Sequence, residues 1–285
     1  MKYTIDQFNK DFPDNDTCLY TIYANRYGEI SICPKCDQET KYYKVRGRKC
    51  YECKECGHQI YPLAGTIFHK SSTSLKQWFY AIYLFSNAKN GVSAKELERH
   101  LGVTYKTAWR MAKQIRLLMA QDNSLSGKVE IDEAYIGGKP INRHQSKQNL
   151  SNDKQVLFGM IEREGKANIK HVVSSGSRSL IPEITKSINK GTLVYSDEQI
   201  AYRRLPKLGY KHESITHSIR EYARGDVHTN NIEGFWSQLK RSINVTYHVV
   251  SSKYLPSYVN EFAFRYNHRQ TLIYPILLHR AGKLV

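Results

Sequence analysis

Apolar positions along the chain change their period from segment to segment, and those changes mark out its elements. Residues 1–30 are mixed and weakly patterned, with a turn-like stretch from Asp11 to Asp16. Residues 31–62 carry short β-like runs, such as Tyr42 to Val45, between pairs of cysteines. From residue 70 to 121 the spacing is helical. Leu75, Trp78, Phe79, Ile82 and Phe85 form one stripe, opened by Thr73 or Ser74 as N-cap. Ser93 to Glu96 reads as a capping box for a short helix through Leu101; Gly102 breaks it, and Thr104 caps a third helix running to about Met119. From Ser126 the texture turns to short β-branched runs separated by Gly and Asn. Lys128 to Ile136, Gln155 to Glu162, Ile169 to Ser174 and Thr192 to Tyr195 are expected strands. Ser179 to Asn189 and about Asn230 to Ile243 are expected helices, and the polar, basic stretch Gly137 to Asp153 a loop. The pattern is that of a mixed α/β domain behind a helical segment and a cysteine module.

Composition narrows the class. A chain of 285 residues, 40% apolar, has room for about two domains and enough apolar side chains for a sizeable core. Forty-three Lys and Arg against 26 Asp and Glu leave a net charge of +17, which points to a polyanionic partner, nucleic acid being the commonest. The basic residues are interleaved with aromatics, 21 Tyr among them, as on a folded basic surface rather than a disordered arm. No 18-residue apolar run is present, so no membrane span is expected. Met1 to Lys10 includes Asp6 and lacks an apolar h-region, so no secretory signal is read there. The expected compartment is the cytoplasm of a prokaryote, in association with its nucleoid, or a nucleus.

All six cysteines, Cys18, Cys33, Cys36, Cys50, Cys53 and Cys56, lie in the first fifth of the chain, which favours a local metal site over a disulfide scaffold. Cys33 with Cys36 and Cys53 with Cys56 are two CxxC pairs separated by 16 residues, the layout of a zinc ribbon holding one structural Zn²⁺ on four thiolates. Cys50 and Cys53 form a competing CxxC, but Gly57 after Cys56 suits the knuckle turn that closes the second pair. Cys50 is then a buried or spare thiol, and His58 is not expected to be a ligand. Four thiolates leave no open coordination position, so this site is structural.

Residues 93–119 have the helix, Gly-containing turn and second helix of a DNA-reading unit. Tyr105, Lys106, Thr107 and Arg110 would project into a major groove, with Lys113 and Arg116 near phosphates, while Ala108, Met111, Ala112 and Ile115 pack inward. The plainer alternative is a helical hairpin with a solvated basic face.

Three acids stand out downstream. Asp132 sits inside an apolar strand, where a charge is costly unless it is paired or binds metal. By alternation Glu130, Asp132 and Ala134 share one face, and Val129, Ile131 and Glu133 the other. Asp197 ends a second apolar strand, and Glu233 lies on a helix whose apolar side carries Trp236, Leu239 and Ile243. Strand-end carboxylates on neighbouring strands can converge on a metal pair. Taken singly, Asp197 reads equally as an N-cap and Glu233 as a solvated helix position. Glu133 and Glu198 are adjacent acids ranked lower.

The segments Ile131 to Lys139, Tyr195 to Asp197 and His228 to Trp236, followed by Leu239 to Arg241, resemble in this order the DDE transposases of the IS1595 group with an ISXO2-like domain. A segment around Tyr247, the run from Glu261 to Arg269, and the cysteine module leading into Ala64 to Phe68 extend the likeness over about residues 30–270. The resemblance implies an RNase H-like catalytic domain with Asp132 and Asp197 as catalytic metal ligands. Members vary at the third position, which is Glu, Asn or His followed by Lys seven residues on; Glu233 with Lys240 fits that offset, and Asn230 is the second choice. Thirty-five residues lie between Asp197 and Glu233, a spacing familiar among DDE recombinases. His228 stands either near the scissile phosphate or as a structural cap.

The expected organisation is an N-terminal segment without assigned role (1–30), a zinc ribbon (31–62), a helical helix-turn-helix-like DNA-binding segment (63–122) and an RNase H-like DDE catalytic domain (126–285). The expected chemistry is cleavage at terminal inverted repeats and attack of the freed 3′-OH on target DNA. It would use two Mg²⁺ (or Mn²⁺) per active site held by Asp132, Asp197 and Glu233, with Lys240 on phosphate. Double-stranded DNA, both transposon end and target, and a homodimer or larger synaptic complex are the expected partners. The rivals are a transposase-derived regulator without catalysis, and a metal-dependent nuclease without strand transfer.

Overall fold

The computed structural model describes residues 3–28, 31–137, 154–215 and 224–283. The stretch 138–153, which holds nearly all of the expected loop, lies outside them. The chain divides into two units. One runs to Met119 and takes in the residues from Gln270 onward; the other is Ala120–Arg269.

In the first unit the weakly patterned N-terminus forms two helices. Thr4 and Gln7 make a reciprocal capping box for α1 (Ile5–Asp11), and Asp14 caps α2 (Asn15–Tyr27). Helix α2 buries Cys18, Leu19, Ile22 and Tyr23 along one side, whereas α1 buries only Phe8 and is held by aromatic packing. Phe8 and Phe12 meet Phe79, Tyr83 and Tyr274, with ring centroids 4.9–6.3 Å apart. The antiparallel sheet β1 (Tyr42–Lys44), β2 (Tyr51–Cys53) and β3 (Gln59–Ile60) carries the cysteines. Tyr51 of β2 stacks on Tyr23 of α2 at 4.2 Å.

Helix α3 (Leu75–Asn87) is capped by Ser74, with Gln77 closing the box, and buries the expected stripe. Ser93 caps α4 (Ala94–Leu101), Gly102 ends it in the left-handed conformation (φ 63°), and Thr104 caps α5 (Tyr105–Leu117). The last helix, α9 (Ile273–Ala281), packs in this unit. Its Tyr274 stacks on Tyr3 at 4.5 Å, and Arg280 donates to the Leu118 carbonyl at 2.8 Å. The catalytic domain was expected to span 126–285, whereas the residues from Gln270 onward group with the first unit, because the contact partners of α9 come from the other end of the chain.

The second unit is built on a five-stranded mixed sheet in the order β6-β5-β4-β7-β8. The strands are β4 (Lys128–Ile136), β5 (Gln155–Glu162), β6 (Ala167–Val172), β7 (Leu193–Ser196) and β8 (Lys211–Ser214). Strands β4, β5 and β6 form an antiparallel meander, whereas β7 and β8 run parallel to β4. Strand alternation sorts the core into two layers. Ala134, Ile136, Leu157, Ile161 and Ile169 pack under α7 (Asn230–Ser242) and α8 (Leu255–Asn267). Val129, Ile131, Phe158, Met160 and Val194 pack on the other side against α6 (Ser177–Ser187) and the short 3-10 turns Ile200–Arg204 and Pro206–Leu208. The central strands match the expected ones; β8, α8 and α9 were not among the expected elements, although Leu255, Val259 and Phe262 on α8 and Tyr274, Leu277, Leu278 and Ala281 on α9 recur at helical spacing.

Several residues in the segment from Glu261 to Arg269 are structural. Glu261 is fully buried and accepts from Arg265 at 2.7 Å and from the Tyr247 hydroxyl at 3.1 Å. The Asn267 amide clasps the backbone N–H and carbonyl of Ala167 at the start of β6. Among the described residues no helix is long and apolar enough to cross a membrane.

Candidate active site and zinc site

Strands β4 and β7 pair over only three residues, the last pair being Glu130 with Tyr195. Asp132 and Asp197 each lie two residues further along, so both leave the sheet on the face of that pair, where β7 ends and β4 continues. Glu133 points to the opposite face, and its carboxylate accepts from the Tyr202 hydroxyl. At the mouth between the parting strands Asp132, Glu133 and Asp197 each present an oxygen, all within 4.8 Å of one another. Two carboxylates so close repel by roughly 3–4 kcal/mol even at an effective dielectric constant of about 20. Burial, helped by the charges of Asp197 and Glu233, pushes the Asp132 carboxyl up to about 6; burial, then Asp132 and Asp197, pushes Glu133 up to about 8. A partly buried set of hard oxygens that resists ionisation is a donor set that fits a divalent cation.

The third expected acid comes near but is not part of that trio. Glu233 is exposed in the first turn of α7, where its Oε1 accepts from the Thr229 hydroxyl at 2.9 Å, and its charge acts on Asp132. The trio instead includes Glu133, ranked below Glu233 from the sequence. Alternation alone sends Glu133 to the far face; the parting of the strands lets it reach around. Helix α7 itself lies over Asp132, since the Trp236 indole N–H donates to Asp132 Oδ2 at 3.0 Å. Gly159, the cross-strand partner of Asp132, makes this approach possible: a Cβ there would come within 2.6 Å of the Trp236 ring and 2.8 Å of Ile232.

One buried acid beside the trio was not singled out from the sequence. Glu130 is fully buried, and its carboxylate accepts from the Asn231 backbone N–H (2.9 Å), the Asn231 side-chain amide (2.8 Å), the Ile232 N–H (3.1 Å) and Arg163 Nε (2.8 Å). It serves as the anionic cap of α7, which has no side-chain cap of its own. Its place on the Asp132 face of a strand was the available signal. His228 joins this network. Arg163 has only donors, so His228 Nδ1 accepts from it at 3.2 Å, and also from the Asn230 N–H at 3.4 Å. Asn230 itself is the exposed first residue of α7. Lys240 is exposed further along the same helix and lines a cavity of about 650 Å³ with Tyr135, Asn244 and His248.

On α5, Tyr105, Lys106 and Lys113 are exposed, and Thr107 is half-buried with its hydroxyl 3.0 Å from that of Thr104. Two expected DNA contacts are turned inward. Arg110 donates to Ser71 Oγ at 3.1 Å and lies over the Trp78 ring. Arg116 is only 3% exposed, donates to the Val92 carbonyl at 3.0 Å and packs on Phe85, so it does not face a phosphate. Ala108, Met111, Ala112 and Ile115 are fully buried, as expected.

Cys33, Cys36, Cys53 and Cys56 converge, with Sγ separations of 3.7 Å (Cys33 to Cys56) and 3.9 Å (Cys36 to Cys53). A tetrahedron of sulfurs about 2.3 Å from zinc has edges of about 3.8 Å, so the four thiols fit that ion. Each pair closes on a left-handed residue, Asp37 (φ 53°) and Gly57 (φ 68°), whose N–H returns to the carbonyl of Cys33 or Cys53. Cys50 is buried outside the quartet.

A four-thiol ribbon in one unit and clustered acids at the parting of parallel strands in the other define a zinc-ribbon protein with a set of oxygen donors that could hold a metal ion. Two family models match the chain: the ISXO2-like transposase domain of the IS1595 group over residues 124–267, and the transposase zinc-ribbon domain over residues 13–59. The chain belongs to the ISXO2-like transposase family of the IS1595 group. It is also 29% identical over 252 residues, 82% of this chain and 84% of the relative, to an uncharacterized protein in the transposable element ISH50 of Halobacterium salinarum. The ribbon match begins before α2, in keeping with the stacking of Tyr23 on Tyr51.

Proposed function

We propose that this chain is a DNA transposase that binds the terminal inverted repeats of an insertion sequence, cleaves there, and joins the freed 3′-OH to target DNA. The observation that carries the reading is the approach of Asp132, Glu133 and Asp197 to within 4.8 Å in a chain of this family. The sheet supports an RNase H-like assignment: a central β4 with an antiparallel meander on one side and two parallel strands on the other, the acids at the parting of β4 and β7. Asp132 and Asp197 would hold divalent metal, Mg²⁺ or Mn²⁺, with Glu233 or Glu133 completing the set. Divalent metal held by these residues would supply activation of the attacking oxygen and neutralisation of charge on the departing 3′ oxygen.

The protein's own groups do the rest. The Trp236 N–H holds Asp132 in one orientation. Lys240, seven residues after Glu233, contacts phosphate, and Asn230 and His228 stand at the start of the same helix. Helices α4 and α5 act as the helix-turn-helix, with Tyr105, Lys106 and Thr107 at base edges and Lys113 near the backbone. End pairing calls for a dimer or larger assembly.

The test uses the zinc-loaded full chain with DNA carrying the ends of its element. Asp132→Asn is expected to lose metal-dependent cleavage and joining while still binding the ends. A pre-cut end supplied with plasmid target should yield joined product. Hydrolysis without joining would mark a nuclease, and end binding by the wild-type chain without cleavage in Mg²⁺ or Mn²⁺ a regulator.

A further inference from the structure

Arg163, in the turn after β5, touches β4, β7 and the residue that leads into α7, each just upstream of an acid. Its backbone N–H is bonded to the Lys128 carbonyl at 2.9 Å, which anchors it beside β4. Its Nε donates to Glu130, two residues before Asp132, at 2.8 Å. The guanidinium lies over the Tyr195 ring, 4.3 Å from its centroid and two residues before Asp197. Its Nη2 donates to the His228 carbonyl at 3.0 Å and to His228 Nδ1 at 3.2 Å, five residues before Glu233. The side chain is 14% exposed and Glu130 not at all, so these bonds face little competition from water. Through Glu130 the link continues to the first amides of α7, and so to the helix that carries Trp236 and Glu233.

We infer that Arg163, with Glu130, is the positioning residue that sets the spacing of the catalytic carboxylates by tying β4, β7 and the start of α7 to one planar cation. The inference rests on the metal-site reading above. Only a guanidinium can do this: it offers a flat face to an aromatic ring and forked donors at its edge, whereas an ammonium is a point charge. A metal site loses affinity when its ligands are no longer held at fixed separations.

The test measures Mn²⁺ binding to the zinc-loaded full chain by the electron paramagnetic resonance of free Mn²⁺, with Asp132→Asn as the no-site reference. Arg163→Ala and Glu130→Gln are expected to bind Mn²⁺ at least tenfold more weakly than wild type, and Arg163→Lys to fall between. Millimolar guanidinium should restore part of the affinity to Arg163→Ala and none to Glu130→Gln. The half-saturating Mn²⁺ concentration for end cleavage should rise in step, with most of the rate regained at saturating metal. Should Arg163→Ala fail to fold, Arg163→Lys and Glu130→Gln carry the test. Folded variants, with native circular dichroism and zinc content, that bind Mn²⁺ within twofold of wild type overturn the inference and leave the metal site standing. A wild-type chain that binds no better than Asp132→Asn overturns both.

Discussion

At the scale of single residues, chemistry at the site is set by how costly it is to keep carboxylates charged in a half-buried cleft. Asp132 and Glu133 titrate at about 6 and about 8, above the usual 3.8 and 4.5, mainly because burial disfavours their charged forms. The folded metal-free chain therefore holds more protons than the unfolded one between about pH 4 and 8. The stability these groups contribute is full below about pH 4 and is lost as pH rises through about 6 and then 8. A divalent cation at the carboxylates reverses that loss but competes with protons for the same oxygens. Mg²⁺ or Mn²⁺ should thus raise the melting temperature more at about pH 8.5 than at about pH 5.5, by differential scanning calorimetry. An equal or larger shift at the lower pH would count against cation binding there. Asp132 was conspicuous in the sequence because a lone charge in an apolar strand demands a partner. Glu130 was less so: its partners, Arg163 and the amides of α7, lie 33 and about 100 positions away.

Elements show where local pattern suffices and where it does not. The caps Ser74, Ser93 and Thr104 and the strand β4 were legible because each depends on neighbours within four residues or on alternation. The sides of α5 were legible only in part. Its apolar side is buried as its spacing implies, yet Arg110 and Arg116, on positions that read as outward and basic, are occupied by Ser71, Trp78, Val92 and Phe85. Long stems let arginines bury along apolar surface while their heads find distant carbonyls. The two kinds of basic residue should separate on mutation. Lys106→Ala is expected to weaken DNA binding across sequences and to reduce the log–log salt slope by about 1, read by fluorescence anisotropy at several salt concentrations. Arg116→Ala should instead cost about 2 kcal/mol of stability or more, measured by urea unfolding, because it leaves the Val92 carbonyl unpaired and a gap beside Phe85.

At the scale of the molecule, the +17 charge and the zinc ribbon accord with the DNA-directed role proposed above, and the ribbon's identity rests on which thiols meet. Cys50 and Cys56 each stand three positions from Cys53, so either could complete the second CxxC. Only Cys56, in the knuckle that turns at Gly57, brings its sulfur into the quartet, 3.7 Å from that of Cys33. Cys56→Ser should lose bound zinc and Cys50→Ser should retain about one ion per chain, as measured by atomic emission on purified protein. Removal of zinc from the wild type with a strong chelator should unfold the ribbon, seen as protease sensitivity between residues 31 and 62. Retention of zinc by Cys56→Ser with loss in Cys50→Ser would reverse the assignment.

What the sequence determined by itself was everything governed by short range: the CxxC pairs, the helix caps, the alternation that sets Asp132 apart from Val129 and Ile131, and the order of motifs that marks the transposase family. These follow from backbone geometry and nearest-neighbour chemistry, which a linear string records in full. The tertiary structure decided which distant groups share a low-dielectric space. It brought Glu133 rather than Glu233 into the closest trio, joined Arg163 to Glu130, Tyr195 and His228, packed α9 against the N-terminal helices and drew Arg116 inward. Those outcomes turn on contacts between residues tens to hundreds of positions apart, whose energies depend on burial and separation in space, and neither quantity is written along the chain.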